Sequence, residues 1–333
     1  MNTLVLRRRT VRILLCLLAA VLASTIVVLS SISHYLKIPT AAVITGSELA
    51  VLHFLSPLNY SVHGFPERIP RIIHQTWKSE VLPAEWADIS QGCRDMMRDY
   101  EYKLWTDASA RELIAEEYPW FLDTFDGYKY PIQRADAIRY FALYHHGGIY
   151  MDLDIACLRP LDPLLVYPAI VPETIPVGVS NDIIFSERRH PFMAQTIHAL
   201  AAFDCSWVLN YPTVMFSTGP MFLSAQYAAY TSTHPPLPGA LREEVRVLPK
   251  SLYGKHATPE EAPCAFFAHY YGSSWHAGDA PFVGFLGAWG KGLMWISVSV
   301  LVYSAFRLAL APSSQKRRRS LVCFVDYEAH VPF

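Results

Sequence analysis

The chain is short of charge. In 333 residues, Lys and Arg number 28 and Asp and Glu 29, for a net charge of −1. So neutral a chain offers no electrostatic footprint for nucleic acid, and its Lys and Arg clusters stand at the two ends. Several chemistries also lack their signatures. No Gly-x-x-x-x-Gly-Lys frame is present to cradle phosphate, and no Gly-x-Ser-x-Gly holds a serine nucleophile. The six cysteines form no Cys-x-x-Cys and no zinc-ligand spacing. Internal repeats and low-complexity tracts are absent as well.

Apolar residues are plentiful, at 52%. From Val11 to Leu36 the only Lys or Arg is Arg12, at the edge of the run. Such a run can cross a ~30 Å hydrocarbon core as a helix. It is longer than a signal-peptide core and has no clean small-x-small cleavage site, so it predicts a retained span over residues 13–36. A second run, Phe282 to Leu310, is interrupted by Lys291 and Arg307, with fifteen residues between them. Both side chains can snorkel outward, which predicts a span over 286–310, with Trp289 and Trp295 at one interface. A terminal helix packed on the domain is the alternative. Arg7-Arg8-Arg9 precede the first run and Lys316-Arg317-Arg318-Arg319 follow the second. The positive-inside rule then makes residues 1–12 and 311–333 cytosolic tails and everything between the spans lumenal. The sequon Asn59-Tyr60-Ser61 falls on that side. So do Cys93, Cys157, Cys205 and Cys264, which allow three full disulfide pairings, or remain buried thiols.

Residues 37–66 suggest a membrane-proximal stem. Beyond them, Ile69 to His74 predicts a strand, Pro83 to Asp99 a helix and Tyr100 to Thr106 a second strand. Asp107 opens another helix as its N-cap, and Ile132 to Tyr144 is helical up to a stop at Gly147-Gly148. The alternation argues an α/β domain over 67–280 with a mainly parallel sheet. Ligands of such sheets lie beyond the carboxyl ends of the strands, where Trp77, Trp105, Asp107, Asp152 and Asp154 all fall.

The run Tyr150-Met151-Asp152-Leu153-Asp154 places two acids where a strand wants none. In a strand they share one face and repel unless a cation sits between them, and a hard divalent ion also gathers phosphate oxygens. Read alone, the pair also fits a solvated strand end. Asp136 and Arg139 lie three apart on one helix face, which from spacing alone fits a surface ion pair equally well. Trp77 suits stacking on a nucleobase, or a place in the core. Asp182, after Asn181, lies next to a strand-like Ile183-Ile184-Phe185 and also fits a loop cap. His145-His146 reads as an ordinary helix end.

Ala135-Asp136-Ala137-Ile138-Arg139-Tyr140, followed by Tyr144-His145-His146-Gly147-Gly148-Ile149-Tyr150-Met151-Asp152-Leu153-Asp154, resembles the signature of the Asp-x-Asp glycosyltransferases that include yeast Golgi mannosyltransferases. Ile69 to Lys78, Tyr102 to Asp107, Ser217-Thr218-Gly219-Pro220 and His269 to Trp275 are similar to further elements of that family, in order. Within it, the second apolar run points toward the fungal inositol phosphoceramide mannosyltransferases. The resemblance implies a GT-A-like nucleotide-sugar-binding domain in a Golgi membrane, moving mannose from GDP-mannose to inositol phosphoceramide with retention of configuration. It implies Mn2+ or another divalent cation on Asp152 and Asp154. Asp136 and Arg139 would hold sugar hydroxyls and donor phosphate, and Asp182 would orient donor or acceptor. Trp77, Trp105 and Asp107 would contact the donor. Ser273 or Ser274 would complete the metal shell or bind the leaving phosphate, with Trp275 closing over it. A membrane regulatory subunit is a possible partner, and no nucleic acid is. Two alternatives stay open: a Golgi mannosyltransferase acting on protein-linked glycans, and a catalytically silent membrane scaffold, against which the intact acids and Arg139 speak.

Overall fold

The computed structural model describes residues 13, 15–21, 23–24, 36–49, 66–174, 177–207, 210–235, 244–272, 292, 295–303 and 306. The chain divides into two compact units, Ile32–Phe282 and a second made of Met1–Ser31 with Val283–Phe333. The larger unit holds eight described strands: β1 (Ile72–Thr76), β2 (Glu101–Trp105), β3 (Gly148–Met151), β4 (Ile155–Cys157), β5 (Ala169–Pro172), β6 (Ile183–Ser186), β7 (Val245–Leu248) and β8 (Phe267–His269). Its helices are α1 (Ala84–Met96), α2 (Asp107–Glu117), α3 (Leu122–Gly127), α4 (Pro131–His146), α5 (Pro191–Phe203), α6 (Asn210–Ser217), α7 (Pro220–Thr233) and α8 (Lys250–Tyr253).

Six strands form one sheet in the order β2-β1-β3-β6-β5-β7. The pairs β1–β2, β1–β3 and β5–β7 are parallel, whereas β6 runs antiparallel to both β3 and β5. The sheet is therefore mixed and mostly parallel. β4 and β8 form a separate antiparallel pair. Alternation along the strands feeds two apolar layers, one on each face. Tyr150, Ile184 and Val171 enter the layer with Phe121, Phe141 and Phe222, while Met151, Phe185 and Ile170 enter the layer with Met97, Leu164 and Phe267. Coverage on both faces explains why β3, β5, β6 and β7 are buried along their whole length.

Helix α4 runs through the first layer with nine buried residues, Asp136 and Arg139 among them. Pro131 stands in its first turn, and the Gln133 side chain accepts from the Tyr130 N–H. Gly147 ends it with a φ of 71°, and Gly148 follows at 105°. A Cβ on Gly148 would lie 2.6 Å from the Ile72 carbonyl oxygen, so this turn needs glycine to bring β3 against β1.

The segment expected as a stem joins the larger unit. Ile44 donates its N–H to the Val247 carbonyl, and Ala42, Ile44 and Leu49 are buried. A short apolar patch next to an open sheet edge is covered more favourably by docking than by standing in water. Asn59 lies outside the described residues, as do 50–65 generally. Cys93 and Cys157 are disulfide-bonded, tying α1 to β4, while Cys205 and Cys264 are free and exposed.

The expected spans 13–36 and 286–310 fall largely outside the described residues. Among those described, no helix is long and apolar enough to cross a membrane. In the smaller unit the described residues of both segments are helical and expose Ile13, Leu17, Val21, Ile296, Val302 and Phe306.

Gly148→Ala should lower stability by about 2 kcal/mol or more, since it adds a positive-φ penalty to a backbone clash. Thermal unfolding of the purified full chain measures this. An unchanged midpoint would show that the turn relaxes freely.

Candidate active site

The parallel strands β1, β2 and β3 end at the same edge of the sheet, and a cleft of about 750 Å³ opens there. Trp77, Trp105, Asp107, Asp136, Arg139, Asp152, Asp154 and Asp182 all line it. Every described residue expected at the site therefore faces one cavity. Ser273, Ser274 and Trp275 lie outside the described residues.

Asp152 and Asp154 do not sit in a strand, contrary to the alternation argument. β3 stops at Met151, and Asp152 to Asp154 form a tight turn closed by the Ile155 N–H donating to the Asp152 carbonyl. Two carboxylates crowded at a cleft floor favour a turn, which buries Leu153 between them and leaves both acids on the cavity wall. The Asp152 N–H donates to the Asp182 carbonyl, and the Tyr150 hydroxyl donates to Asp152 Oδ1 at 2.6 Å. Asp154 Oδ2 accepts from the Gly272 N–H at 2.7 Å. Burial lifts the Asp152 carboxyl to about 7; Arg139 pulls it down while Asp182 and Asp154 push it further up.

Arg139 organises the floor. Its guanidinium pairs with Asp136 Oδ1 at 2.7 Å, donates to the Asn181 carbonyl at 2.7 Å and reaches Asp152 Oδ1 at 3.4 Å. It also lies 4.4 Å over the Tyr150 ring. The pair with Asp136 is not on the surface, the alternative that spacing allowed: the two side chains are 3% and 6% exposed. Burial raises the Asp136 carboxyl, while Arg139 and hydrogen bonds from Thr218 and Asn181 pull it back.

Asp182 is equally committed. Its carboxylate accepts from the Tyr253 hydroxyl and pairs with Lys255 Nζ at 2.7 Å. Burial works to raise it, but Lys255, His269 and these hydrogen bonds outweigh that and bring it to about 2. Tyr253, at the end of α8, and Lys255 just beyond it escaped the sequence reading, because single residues carry no periodicity, and Tyr271 was read only as part of the His269 to Trp275 stretch, with no role of its own. At the other end of the cleft, the Trp105 indole donates to His74 Nδ1 at 3.0 Å, so His74 must carry its proton on Nε2, facing the Gly147 carbonyl. Burial lowers His74 to about 4, which keeps it neutral. His74 thereby fixes Trp105 against the cleft. Thr106, not Asp107, caps α2: its hydroxyl accepts from the Ser109 N–H, leaving Asp107 in the first turn, exposed and on the cleft rim.

The donor set of the acidic turn suits a hard divalent ion held by one or two carboxylates plus substrate phosphates. Among the described residues no group of three or more His, Cys, Asp or Glu forms a closed metal cage. Asp152 and Asp154 would supply two oxygen donors, and donor phosphates and water would fill the remaining positions.

Residues 83–170 match the family described as a glycosyltransferase sugar-binding region containing a DXD motif. Over 254 residues the chain is 45% identical to inositol phosphoceramide mannosyltransferase 3 of Schizosaccharomyces pombe, covering 75% of this chain and 68% of that protein. Inositol phosphoceramide mannosyltransferase 1 of the same organism is 43% identical, over 75% of this chain and 73% of its own. The chain belongs to the DXD-motif glycosyltransferase family of these proteins. Mannosyl phosphorylinositol ceramide synthase SUR1 of Saccharomyces cerevisiae is 49% identical over 67% of this chain, which spans 56% of that relative's length. The family match encloses Trp105, Asp107, Asp136, Arg139, Asp152 and Asp154, and leaves Trp77 and Asp182 outside.

Arg139→Met should destabilise the fold by about 3–5 kcal/mol, because it strands the buried Asp136 carboxylate. Adding Asp136→Asn should recover part of the loss without restoring activity, since Asp152 stays unanchored. Thermal unfolding beside donor hydrolysis separates the two effects. Equal stability of single and double variants would count against the pair as the source of the loss.

Proposed function

We propose that the chain is a metal-dependent hexosyltransferase, anchored in a Golgi membrane, that moves mannose from GDP-mannose to inositol phosphoceramide. What carries this reading is the intact Asp152–Asp154 turn, held by Arg139, in a chain 45% identical to an inositol phosphoceramide mannosyltransferase over most of its length. A divalent ion such as manganese, bound at Asp152 and Asp154, would neutralise charge on the diphosphate as the glycosidic bond breaks. Lys255, held beside Asp182, adds a second cation at that side of the cleft. Trp77 and Trp105 offer apolar faces to the nucleobase, a mode of binding that tolerates any base. Asp136, in the cleft floor, accepts from sugar hydroxyls.

Neither Asp136 nor Asp182 is free to act as a nucleophile. Asp136 is bound by Arg139, Asn181 and Thr218, and Asp182 by Lys255 and Tyr253. With the retention of configuration that the family resemblance implies, the reading is a front-face displacement. The acceptor oxygen bonds to the anomeric carbon as the bond to phosphate breaks, and the departing phosphate takes the acceptor's proton. Arg139 keeps Asp152 in place throughout and contributes positive charge beneath the phosphates.

A GT-A-like description of the domain is supported by the β2-β1-β3-β6-β5-β7 order with its acidic turn after β3. Membrane anchorage is supported by the two apolar terminal runs, their flanking basic clusters and the exposed apolar side chains of the smaller unit. The Cys93–Cys157 bridge suits an oxidising lumen.

Asp154→Asn should reduce transfer to background at an unchanged protein level, and EDTA should do the same to the wild type, with manganese restoring it. The measurement is radiolabelled mannose incorporated into inositol phosphoceramide by isolated membranes. Full transfer in excess chelator would overturn the metal assignment. Normal sphingolipids beside shortened protein glycans, in cells lacking the protein, would move the acceptor to protein-linked glycans.

A further inference from the structure

One stretch of the larger unit is apolar where the fold gives it no reason to be. From Phe203 to Ser217 the only charged residue is Asp204. Phe203, Trp207 and Phe216 are 38%, 52% and 37% exposed. The Trp207 and Phe216 rings pack on each other, 5.6 Å between centroids, yet cover neither from solvent. Helix α6, which carries Phe216, also turns Asn210, Tyr211 and Val214 into the cleft. One short helix thus forms a wall of the site and an exposed aromatic ledge.

The ledge is built rather than left over. The buried Thr213 hydroxyl accepts from the Trp207 N–H at 2.9 Å and donates to the Trp207 carbonyl at 3.2 Å. A buried side chain thereby clamps the backbone of an exposed indole, limiting the entropy that indole would lose on being covered. Beside it, the Tyr130 hydroxyl bonds to the Asn210 side chain, joining the start of α4 to α6. Lys129 is exposed next to the Tyr130 ring, and Arg134 lines the cleft one turn along α4. Aromatic rings flanked by cations are the chemistry of a membrane–water interface carrying anionic phosphodiester lipids.

We infer that Trp207 and helix α6 form a lip that seats on the lipid bilayer and delivers a membrane-embedded acceptor headgroup to the cleft that α6 lines. The lip rests on the lipid-acceptor reading above and names the surface that reading lacks. Trp207 and Phe216 enter the interface, Lys129 and Arg134 face lipid phosphates, and Tyr211 and Asn210 meet the headgroup as it enters the cavity.

The test uses the full-length protein reconstituted in vesicles that contain inositol phosphoceramide. The variant Trp207→Ser/Phe216→Ser should raise the KM for the vesicle acceptor about tenfold, the factor that corresponds to burying one large apolar side chain. Donor hydrolysis, which needs no lipid, should proceed at the wild-type rate, as should transfer to a short-chain, water-soluble acceptor. Trp207→Tyr, which keeps an interfacial ring, should retain a KM near that of the wild type. Brominated lipids should quench wild-type tryptophan fluorescence more than that of the Trp207→Tyr protein, the difference isolating one of the eight tryptophans. Equal KM values in the double variant and the wild type, or equal quenching with and without Trp207, would overturn the lip. Wild-type protein that transfers to soluble glycans and to no vesicle acceptor would overturn the lipid-acceptor reading instead, whatever the quenching.

Discussion

The site depends on a single buried cation. Arg139 lies in the first apolar layer, where an unpaired guanidinium would cost several kcal/mol to desolvate. Among its partners, the Asp136 carboxylate one turn earlier, the Asn181 carbonyl before β6 and Asp152 after β3 offset that cost. Each comes from a different part of the chain, so satisfying the charge fixes α4, the acidic turn and the antiparallel strand relative to one another. Asp136 extends the network by accepting from Thr218, just before α7. The Tyr150 ring closes it from the side. A lysine in this place would hold a point charge but could not reach three acceptors in fixed directions at once.

This arrangement explains which features could be read from the sequence. Alternating strand and helix patterns, the Gly147-Gly148 stop and two acids beyond a strand are local signals, and each stands where expected within a few residues. The direction of β6 was not legible, because Ile183-Ile184-Phe185 looks the same whichever way it runs. The Asp-x-Asp turn misled for a related reason: strand formers up to Met151 suggested that the strand continued, whereas the chain turns over Asp152 to Asp154, closed by the Ile155 N–H on the Asp152 carbonyl. The cap of α2 is Thr106 rather than the expected Asp107, because Ser109 three residues beyond Thr106 completes a capping box with the threonine. Cys93 and Cys157 are 64 residues apart, a separation that no spacing rule could favour over the other pairings. Docking of residues 42–49 was hidden as well, since a short apolar patch gives no sign of which sheet edge it will cover.

The cleft divides the labour of a group transfer. At one end the Trp105 indole is held by a neutral histidine, a geometry that presents a flat apolar face with no charge of its own. At the centre, acids outnumber cations, which suits a divalent ion and repels bare phosphate until that ion is present. Lys255 is the exception, and its pairing with Asp182 keeps it from drawing in anions at random. Where α6 and the start of α4 line the cleft, tyrosine, asparagine and arginine accompany the exposed rings of Trp207 and Phe216. Flat apolar, acidic and amphipathic linings suit the base, the diphosphate and the lipid headgroup of the proposed reaction.

A lipid acceptor changes what the acceptor end must supply. A soluble sugar has to be captured from bulk water, which demands a deep subsite and many hydrogen bonds. In the proposed reading a lipid headgroup shares a surface with a membrane-anchored enzyme, so confinement raises its effective concentration before any contact forms. The remaining task is orientation: the cleft must lie at the height of the headgroups and open toward them. A clamped Trp207 beside the Phe216 ring of α6 is suited to that task, because the interface fixes the depth of an indole and the clamp fixes the cleft relative to the indole. The energy required is modest, and a shallow, open acceptor end beside an aromatic lip is what that economy predicts.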